Sequence, residues 1–277
     1  MTAYITTRLL VVIILLTAAG RASAARVLGV FPHHGYSHHS VFLPYLRALA
    51  DRGHNVLVIS HFDSSHTGIM DISVKGSAPM DNNITFPDST TFGFFATWRD
   101  VFVMYNMAKI TEGIFEVPAV RQLLDEPDAG FDLVVAEHFN SDLSLGFAAK
   151  YRAPLVLLSS CPLMPWTSSL VGQPQLTAHR PFVFSGLSPR MDLAQRLANT
   201  LMAHVSDAVF QLVHRSWSKR VVKKHLGVDL SVDEFASNVS LVLVNTHWSI
   251  NGASATVPSV LEVGGMHMKP SKPLPAN

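Results

Sequence analysis

The stretch RVLGVFPHHGYSHHSVFLPYLRALADRGHNVLVIS, residues 26–60, decides the fold class. Arg26 to Phe31 is a short apolar run ended by a proline, which predicts a strand buried on both faces. From Ser37 to Asp51 apolar residues recur at helical spacing, and an Arg-Gly-His sequence follows as the stop. Asn55 to Ser60 is a second apolar run, so these 35 residues predict a right-handed βαβ unit with parallel strands.

The same alternation returns later in the chain. Phe131 to Ala136 predicts a strand, a helix is expected near Asp142 to Tyr151, and Ala153 to Leu158 predicts the next strand. Leu241 to Val244 is one more buried strand. The repeated units predict an α/β fold, a doubly wound parallel sheet of the Rossmann-like kind with helices on both faces.

The segments between and after these units are less regular. Phe92 to Leu124 carries aromatic and apolar residues at helical spacing, which predicts one or two helices over the sheet. Residues 162–190 are rich in Pro, Gly and Ser, which predicts a long loop, and Met191 to Leu226 is expected to be helical. Residues 257–277 are proline-rich, so we expect a linker without regular structure there.

The amino terminus has the pattern of a secretory signal peptide. An arginine precedes a short apolar run and a small-residue cleavage site, and the run is too short to span a bilayer. The expected organisation is a signal peptide at 1–24, a Rossmann-like domain at 25–256 and an interdomain linker at 257–277. Secretory entry predicts a location in the endoplasmic reticulum lumen and makes Asn83 and Asn238 candidate glycosylation sites.

Composition and motif searches exclude several classes of function. Charged residues make up 15% of the chain and the formal net charge is +1, so nucleic acid is not an expected partner. Cys161 is the only cysteine, so no internal disulfide exists, and we expect a buried small hydrophobic residue rather than a nucleophile. No Gly-x-Gly-x-x-Gly follows the first strand, and no P-loop or Gly-x-Ser-x-Gly occurs, which disfavours nicotinamide chemistry, NTP hydrolysis and serine hydrolysis.

Four histidines follow the first predicted strand, at the edge where an open parallel sheet binds its ligands. His33, His34, His38 and His39 together suggest a zinc set, but no Cys or Glu ligand has a familiar spacing around them. A purely structural role is the alternative for each of them. His38 differs because it falls in the first turn of a helix, where the dipole disfavours imidazolium. A neutral imidazole can act as a general base.

A general base needs an acid that orients it and stabilises the imidazolium that forms. Glu137 directly follows the Phe131 to Ala136 strand, and Asp142 begins the next predicted helix, both at the same edge of the sheet as His38. An acid at that edge can equally be a helix cap or a solvated charge. The candidate catalytic residues are therefore His38, Glu137 and Asp142, with either acid as the supporting group.

An ordered series of motifs carries a resemblance to a known family. Phe31-Pro32 through Ser37-His38, continued by Leu49 to Val56, resembles the amino-terminal motif of animal UDP-glucuronosyl- and UDP-glucosyltransferases, and most of all the insect members. The further matching stretches, in the same order, are Phe131 to Val134, Phe139 to Asp142, Gly186 to Leu201 and Val257 to His267. The similarity extends over nearly the whole chain after the signal sequence.

The resemblance implies the amino-terminal, acceptor-binding domain of a GT-B glycosyltransferase, whose carboxyl-terminal domain holds the UDP-sugar. In that family the Ser-His histidine deprotonates the acceptor hydroxyl, which attacks the anomeric carbon with inversion, without a metal or cofactor. This role carries over to His38; the family's supporting aspartate falls on Glu137, one methylene longer, with Asp142 as the substitute. The expected acceptor is small and lipophilic, in an apolar pocket lined by the Phe92 to Tyr105 region and the 162–190 loop.

The family's His-Cys-Gly sugar-nucleotide motif and its carboxyl-terminal membrane helix do not occur in this sequence. We therefore expect UDP-glucose or UDP-glucuronate to bind through a second half, and we expect no turnover by the chain alone. The alternative is a truncated, non-catalytic isoform that binds lipophilic molecules or regulates full-length family members in a homo- or hetero-oligomer.

Overall fold

The computed structural model describes residues 24–78, 94–126, 129–231 and 238–271, and for residues 94–101 only the backbone. Nearly all of the predicted signal peptide and the Asn83 glycosylation site lie outside these ranges. Asn238 is exposed and directly precedes a strand. No helix within the described ranges is long and apolar enough to cross a membrane.

The sheet has seven parallel strands, which are β1 Arg26–Phe31, β2 Asn55–Ser60, β3 Ile69–Ser73, β4 Leu133–Glu137, β5 Leu155–Ser159, β6 Val239–Val244 and β7 Val260–Glu262. Their order in the sheet is β3-β2-β1-β4-β5-β6-β7. The strand order reverses between β1 and β4, which are direct neighbours, so the ends of these two strands form the expected ligand-binding edge. The prediction of a doubly wound parallel sheet is confirmed.

Helices connect most of the strands. A 3-10 turn at Thr111–Glu116 separates α2 from α3, and a π-helical turn at Phe210–His214 continues α6 into α7 without a break. The predicted helix from Met191 to Leu226 is therefore observed, with this turn in its middle. The helices are α1 Tyr36–Asp51, α2 Phe94–Ile110, α3 Pro118–Asp125, α4 Leu145–Tyr151, α5 Pro165–Leu170, α6 Leu193–Val209, α7 Arg215–Leu226 and α8 Trp248–Asn251.

The sheet is buried on both faces, and successive strand residues contribute to the two cores in turn. In β1, Leu28 and Val30 face the core that α3, α4 and α7 cover. Val27 and Phe31 face the core that α1 covers. Because both faces are covered, the strands are continuous apolar runs, which is the pattern that predicted them.

Three elements differ from the sequence prediction. The proline-rich segment after residue 257 was expected to lack regular structure, which was wrong for β7. Pro258 precedes β7 by two residues, and a strand at the end of a sheet needs only one hydrogen-bonded neighbour, here β6. Strand β3 was not predicted, because Asp71 and Ser73 interrupt its apolar pattern. The predicted 162–190 loop contains one short helix, α5.

Candidate active site

His38 lies at the amino-terminal end of α1, immediately after the loop that leaves β1. It is the third residue of the helix, and its backbone N–H donates to the carbonyl of Gly35 at 3.1 Å. Gly35 is needed here for space, because a Cβ atom would lie 2.8 Å from the ring of His33 and 3.2 Å from that of His38. The loop therefore brings the two imidazoles against the helix start.

Glu137 is the acid that contacts His38. Its Oε1 lies 2.5 Å from Nδ1 of His38, and the two side chains are 3% and 17% exposed. A carboxylate can only accept, so Nδ1 of His38 carries the ring proton and Nε2 is left with a free lone pair. The arrangement gives an imidazole that is oriented at one nitrogen and able to accept a proton at the other.

Ser160, the residue after β5, completes the contact between these two groups. Its hydroxyl donates to Oε1 of Glu137 at 3.0 Å and lies 2.9 Å from Nδ1 of His38. In a serine hydrolase the nucleophilic hydroxyl and the acid bind opposite ring nitrogens. Here both bind the same nitrogen of His38, so Ser160 is not placed as a nucleophile.

Two aromatic neighbours fix the plane of the His38 ring. His33 stacks on it with ring centroids 3.8 Å apart and 20° between the planes, and Phe139 meets it edge-on at 4.7 Å. Nδ1 of His33 accepts the N–H of Gly35 at 3.0 Å. Burial, together with the charges that His38 and His34 would carry, lowers the pKa of His33 to about 2. His33 is therefore a neutral ring at physiological pH.

The site has a group of side chains that could hold a metal ion. One ligand atom each from His33, His38 and Glu137 lies within 4.8 Å of the others. The hydrogen bonds already described compete with ligation, because Nδ1 of His33 accepts from backbone and Nδ1 of His38 donates to Glu137. His39, from the four-histidine set considered in the sequence, is buried apart from this group and packs 5.3 Å from Phe62.

Asp142 belongs to a different, fully buried network. Its Oδ1 lies 2.8 Å from Nε2 of His138, and its Oδ2 accepts from Nε of Arg215 at 2.7 Å. Burial raises the pKa of Asp142, but the hydrogen bond from His138 and the charge of Arg215 outweigh it, so the pKa is lowered. Both carboxylate oxygens are thus engaged away from His38. Asp142 is not the acid that supports His38 in this structure.

Two cavities adjoin this edge of the sheet. The smaller, of about 200 Å³, is lined by Ser37, His38, Phe139, Ser160, Cys161, Met164, Val183 and Phe184. The larger, of about 370 Å³, is lined mostly by residues 162–189 and by the segment after β6. Val183 borders both cavities, so it forms part of the wall between them.

The 162–190 loop thus lines a cavity beside His38, as predicted. Of the Phe92 to Tyr105 region, the described side chains begin at Phe102. Met104 packs behind the cavity, in a cluster with Met164.

Comparison with known proteins gives the family. Residues 26–277 match the family model described as UDP-glucoronosyl and UDP-glucosyl transferase. The chain belongs to this family. UDP-glucosyltransferase 2 of Dactylopius coccus is 31% identical over 97% of this chain and 52% of its own length. UDP-glucuronosyltransferase 2A2 of Homo sapiens is 27% identical over 64% of this chain and 32% of its own length.

This UDP-glycosyltransferase family member spans about half the length of the curated relatives it matches. Among solved structures, the glycotransferase of kitacinnamycin aligns over 87% of this chain and 51% of its own, at 16% identity and a TM-score of 0.44. At that score it does not decide the fold, which follows from the strand order itself.

Sequence reasoning about this UDP-glycosyltransferase family member missed Ser160 and the stacking of His33. The only sequence signal for Ser160 was its place near the end of the predicted strand Ala153 to Leu158, and Ser159 lies closer to that end. Cys161 lines the smaller cavity, and burial, followed by the charge of Glu137, raises its pKa to about 12. It therefore stays a thiol, which agrees with the expectation that it is not a nucleophile.

Proposed function

We propose that this chain is the acceptor-binding half of a UDP-glycosyltransferase that transfers a hexosyl group to a hydroxyl of a small lipophilic molecule. The donor is UDP-glucose or UDP-glucuronate, and the anomeric carbon is inverted. The observation that carries the proposal is the hydrogen bond from His38 to Glu137 beside an apolar cavity. Family membership supports the reaction class.

In the proposed mechanism the acceptor hydroxyl lies against Nε2 of His38. As the hydroxyl oxygen attacks the anomeric carbon, its proton passes to Nε2, the bond from that carbon to UDP breaks, and UDP leaves with the electron pair. The imidazolium formed is stabilised by the carboxylate of Glu137, 2.5 Å from Nδ1. A general base of this kind contributes about 10²- to 10⁴-fold to the rate. The chemistry proposed needs no metal or cofactor.

The size of the cavity limits the acceptor. About 200 Å³, walled by Phe139, Met164 and Phe184, suits a single aromatic ring with a hydroxyl. Sites for drug-sized ligands measure about 300–1,000 Å³, so a two-ring acceptor needs more room than this cavity offers. We propose that larger acceptors extend past Val183 into the second cavity of about 370 Å³.

The donor is proposed to bind through a second half that this sequence does not contain. The chain spans about half the length of its relatives, and it lacks the His-Cys-Gly motif that the resemblance associates with the sugar nucleotide. Isothermal titration of residues 25–277 with UDP should show no tight binding. Tight binding would contradict this division of labour.

The signal-like amino terminus supports the further proposal that the chain works in the endoplasmic reticulum lumen.

The test is sugar transfer by a fusion of this chain to the carboxyl-terminal half of Dactylopius coccus UDP-glucosyltransferase 2. With UDP-glucose and phenol, which has the single ring that suits the cavity beside His38, His38→Ala should lower kcat by about 10²- to 10⁴-fold. The matched control is His39→Leu. His39 is the adjacent buried histidine, and its ring nitrogens have no hydrogen-bond partner among the described residues. The control should transfer at the normal rate.

Equal rates of sugar transfer by His38→Ala and the unmodified fusion would refute the proposal that His38 is the general base. If the unmodified fusion binds phenol but never transfers glucose, the non-catalytic lipophile-binding alternative is the better description.

A further inference from the structure

Two polar groups, the ring of His38 in α1 and the hydroxyl of Ser160 after β5, meet at one atom, Oε1 of Glu137 at the end of β4. Nδ1 of His38 lies 2.5 Å from it and the hydroxyl of Ser160 lies 3.0 Å from it. The third side of the triangle, from Ser160 to Nδ1 of His38, measures 2.9 Å. Each pair is within hydrogen-bond distance, so the proton on Nδ1 has two acceptors and the carboxylate oxygen has two donors.

Glutamate at this position makes such a contact useful. The resemblance to the family places an aspartate where this chain has Glu137, and glutamate has one more rotatable bond. The longer side chain has more rotamers in which Oε1 does not contact Nδ1 of His38, and an additional hydrogen bond to the carboxylate disfavours those rotamers. Ser160 makes that bond to the oxygen atom that binds His38.

Ser160 is itself fixed by the sheet. Its carbonyl accepts a hydrogen bond from the side-chain amide of Asn245 at 3.0 Å, and the backbone N–H of Asn245 donates to Ser159 at 2.9 Å. Asn245 directly follows β6, and Ser160 directly follows β5. The backbone that carries the hydroxyl is therefore held between two adjacent strands, which gives Ser160 a stable position from which to hold Glu137.

We propose that Ser160 is a positioning residue: its hydroxyl holds the carboxylate of Glu137 and the ring of His38 in the one arrangement that leaves Nε2 of His38 facing the cavity. The effect on sugar transfer rests on the proposed function, whereas the effect on the ring does not. A competing role is direct contact with a substrate, because Ser160 also lines the smaller cavity.

The first experiment measures the ring in the chain as it is. Nuclear magnetic resonance of ¹⁵N-histidine-labelled protein should show a resolved Nδ1–H proton for His38, assigned by its loss in His38→Gln. In Ser160→Ala this proton should exchange faster with water, and its signal should broaden or move upfield. Ser160→Thr keeps the hydroxyl and should restore the signal. Ser159→Ala is the matched control, because its hydroxyl bonds the carbonyl of Cys161 instead.

The second experiment measures transfer in the fusion protein. Ser160→Ala should lower kcat by about 10- to 100-fold, the worth of a hydrogen bond to a charged group, with KM for both substrates nearly unchanged. Ser160→Thr should recover most of the loss.

An unchanged His38 signal in Ser160→Ala would overturn the proposal. So would a raised KM with normal kcat, because that result indicates contact with substrate. If the signal responds to Ser160→Ala while His38→Ala leaves transfer intact, the proposed function fails and the positioning of the ring by Ser160 stands.

Discussion

Replacement of Asp142 by asparagine distinguishes a structural acid from the acid that we propose to be catalytic, Glu137. Asp142 is buried, and its two oxygens accept from His138 and from Arg215. An asparagine can keep one acceptor, but its NH₂ group must then face a donor. His138 can move its ring proton to the nitrogen that faces Thr167, at 2.8 Å, whereas Arg215 cannot lose its charge. The loss of stability therefore comes from Arg215, whose buried guanidinium loses the negative charge that it pairs with.

The size of that cost follows from the surroundings of Arg215. Its side chain is 7% exposed, and Nη2 has no hydrogen-bond partner among the described residues. Loss of one partner of a buried ion pair costs about 3–5 kcal/mol, because the remaining charge stays buried. For a domain of this size, each kcal/mol moves the melting temperature by about 2–4 °C, so Asp142→Asn should melt about 6–20 °C lower.

Glu137→Gln is the matched comparison. The described hydrogen-bond donors to the side-chain carboxylate of Glu137 are His38 and Ser160, and a glutamine carbonyl can accept from either. We expect a loss of about 1 kcal/mol in the free energy of unfolding, and a large loss of transfer in the fusion protein. Thermal unfolding followed by circular dichroism measures both variants. Asp142→Asn with a normal melting temperature, or Glu137→Gln with an equally low one, would refute the division between the two acids.

Three further predictions concern the cavity and the histidines. Val183→Ala should raise kcat/KM for 4-phenylphenol relative to phenol by about tenfold, because it opens the wall between the cavities, whereas Leu163→Ala, in the larger cavity alone, should not. In the unfolded chain His33 binds a proton near pH 6.5, whereas in the folded protein, where its pKa is about 2, it stays neutral at that pH. Urea titrations should therefore show the free energy of unfolding falling by up to about 1.4 kcal/mol per pH unit as the pH drops from 6.5 towards 2. The fall should be less steep in His33→Asn. It should be unchanged in the control His179→Asn, because His179 is exposed. A chelator should leave transfer unchanged, and added Zn²⁺ should inhibit by binding the ligand atoms around His38.

The opening βαβ unit could be predicted because its signals are local. The apolar runs of β1 and β2 and the stripe of α1 lie within one stretch of sequence, and each matches the period of its element. Strands β3 and β7 carry weaker signals, because their pairing with β2 and β6 stabilises them more than their own composition does.

The candidate site divides in the same way. His38 and Glu137 could be predicted together because they lie at or just beyond the carboxyl ends of the neighbouring parallel strands β1 and β4, which meet at one edge. Ser160 is 122 residues from His38 in sequence, and only side-chain direction shows that its hydroxyl reaches the ring. The sequence placed Asp142 at the same edge of the sheet as Glu137, but in the structure Asp142 binds Arg215, which is 73 residues away. Contacts of this range cannot be inferred from local pattern.

The most direct test of the general base compares acceptors of different acidity in the fusion protein. 4-Nitrophenol is partly ionised near neutral pH and needs little help to lose its proton, whereas cyclohexanol needs a base. If His38 removes the proton of the acceptor, His38→Gln should reduce transfer to cyclohexanol by about 10³-fold and transfer to 4-nitrophenol far less. An equal reduction for both acceptors, or none, would contradict a base at His38.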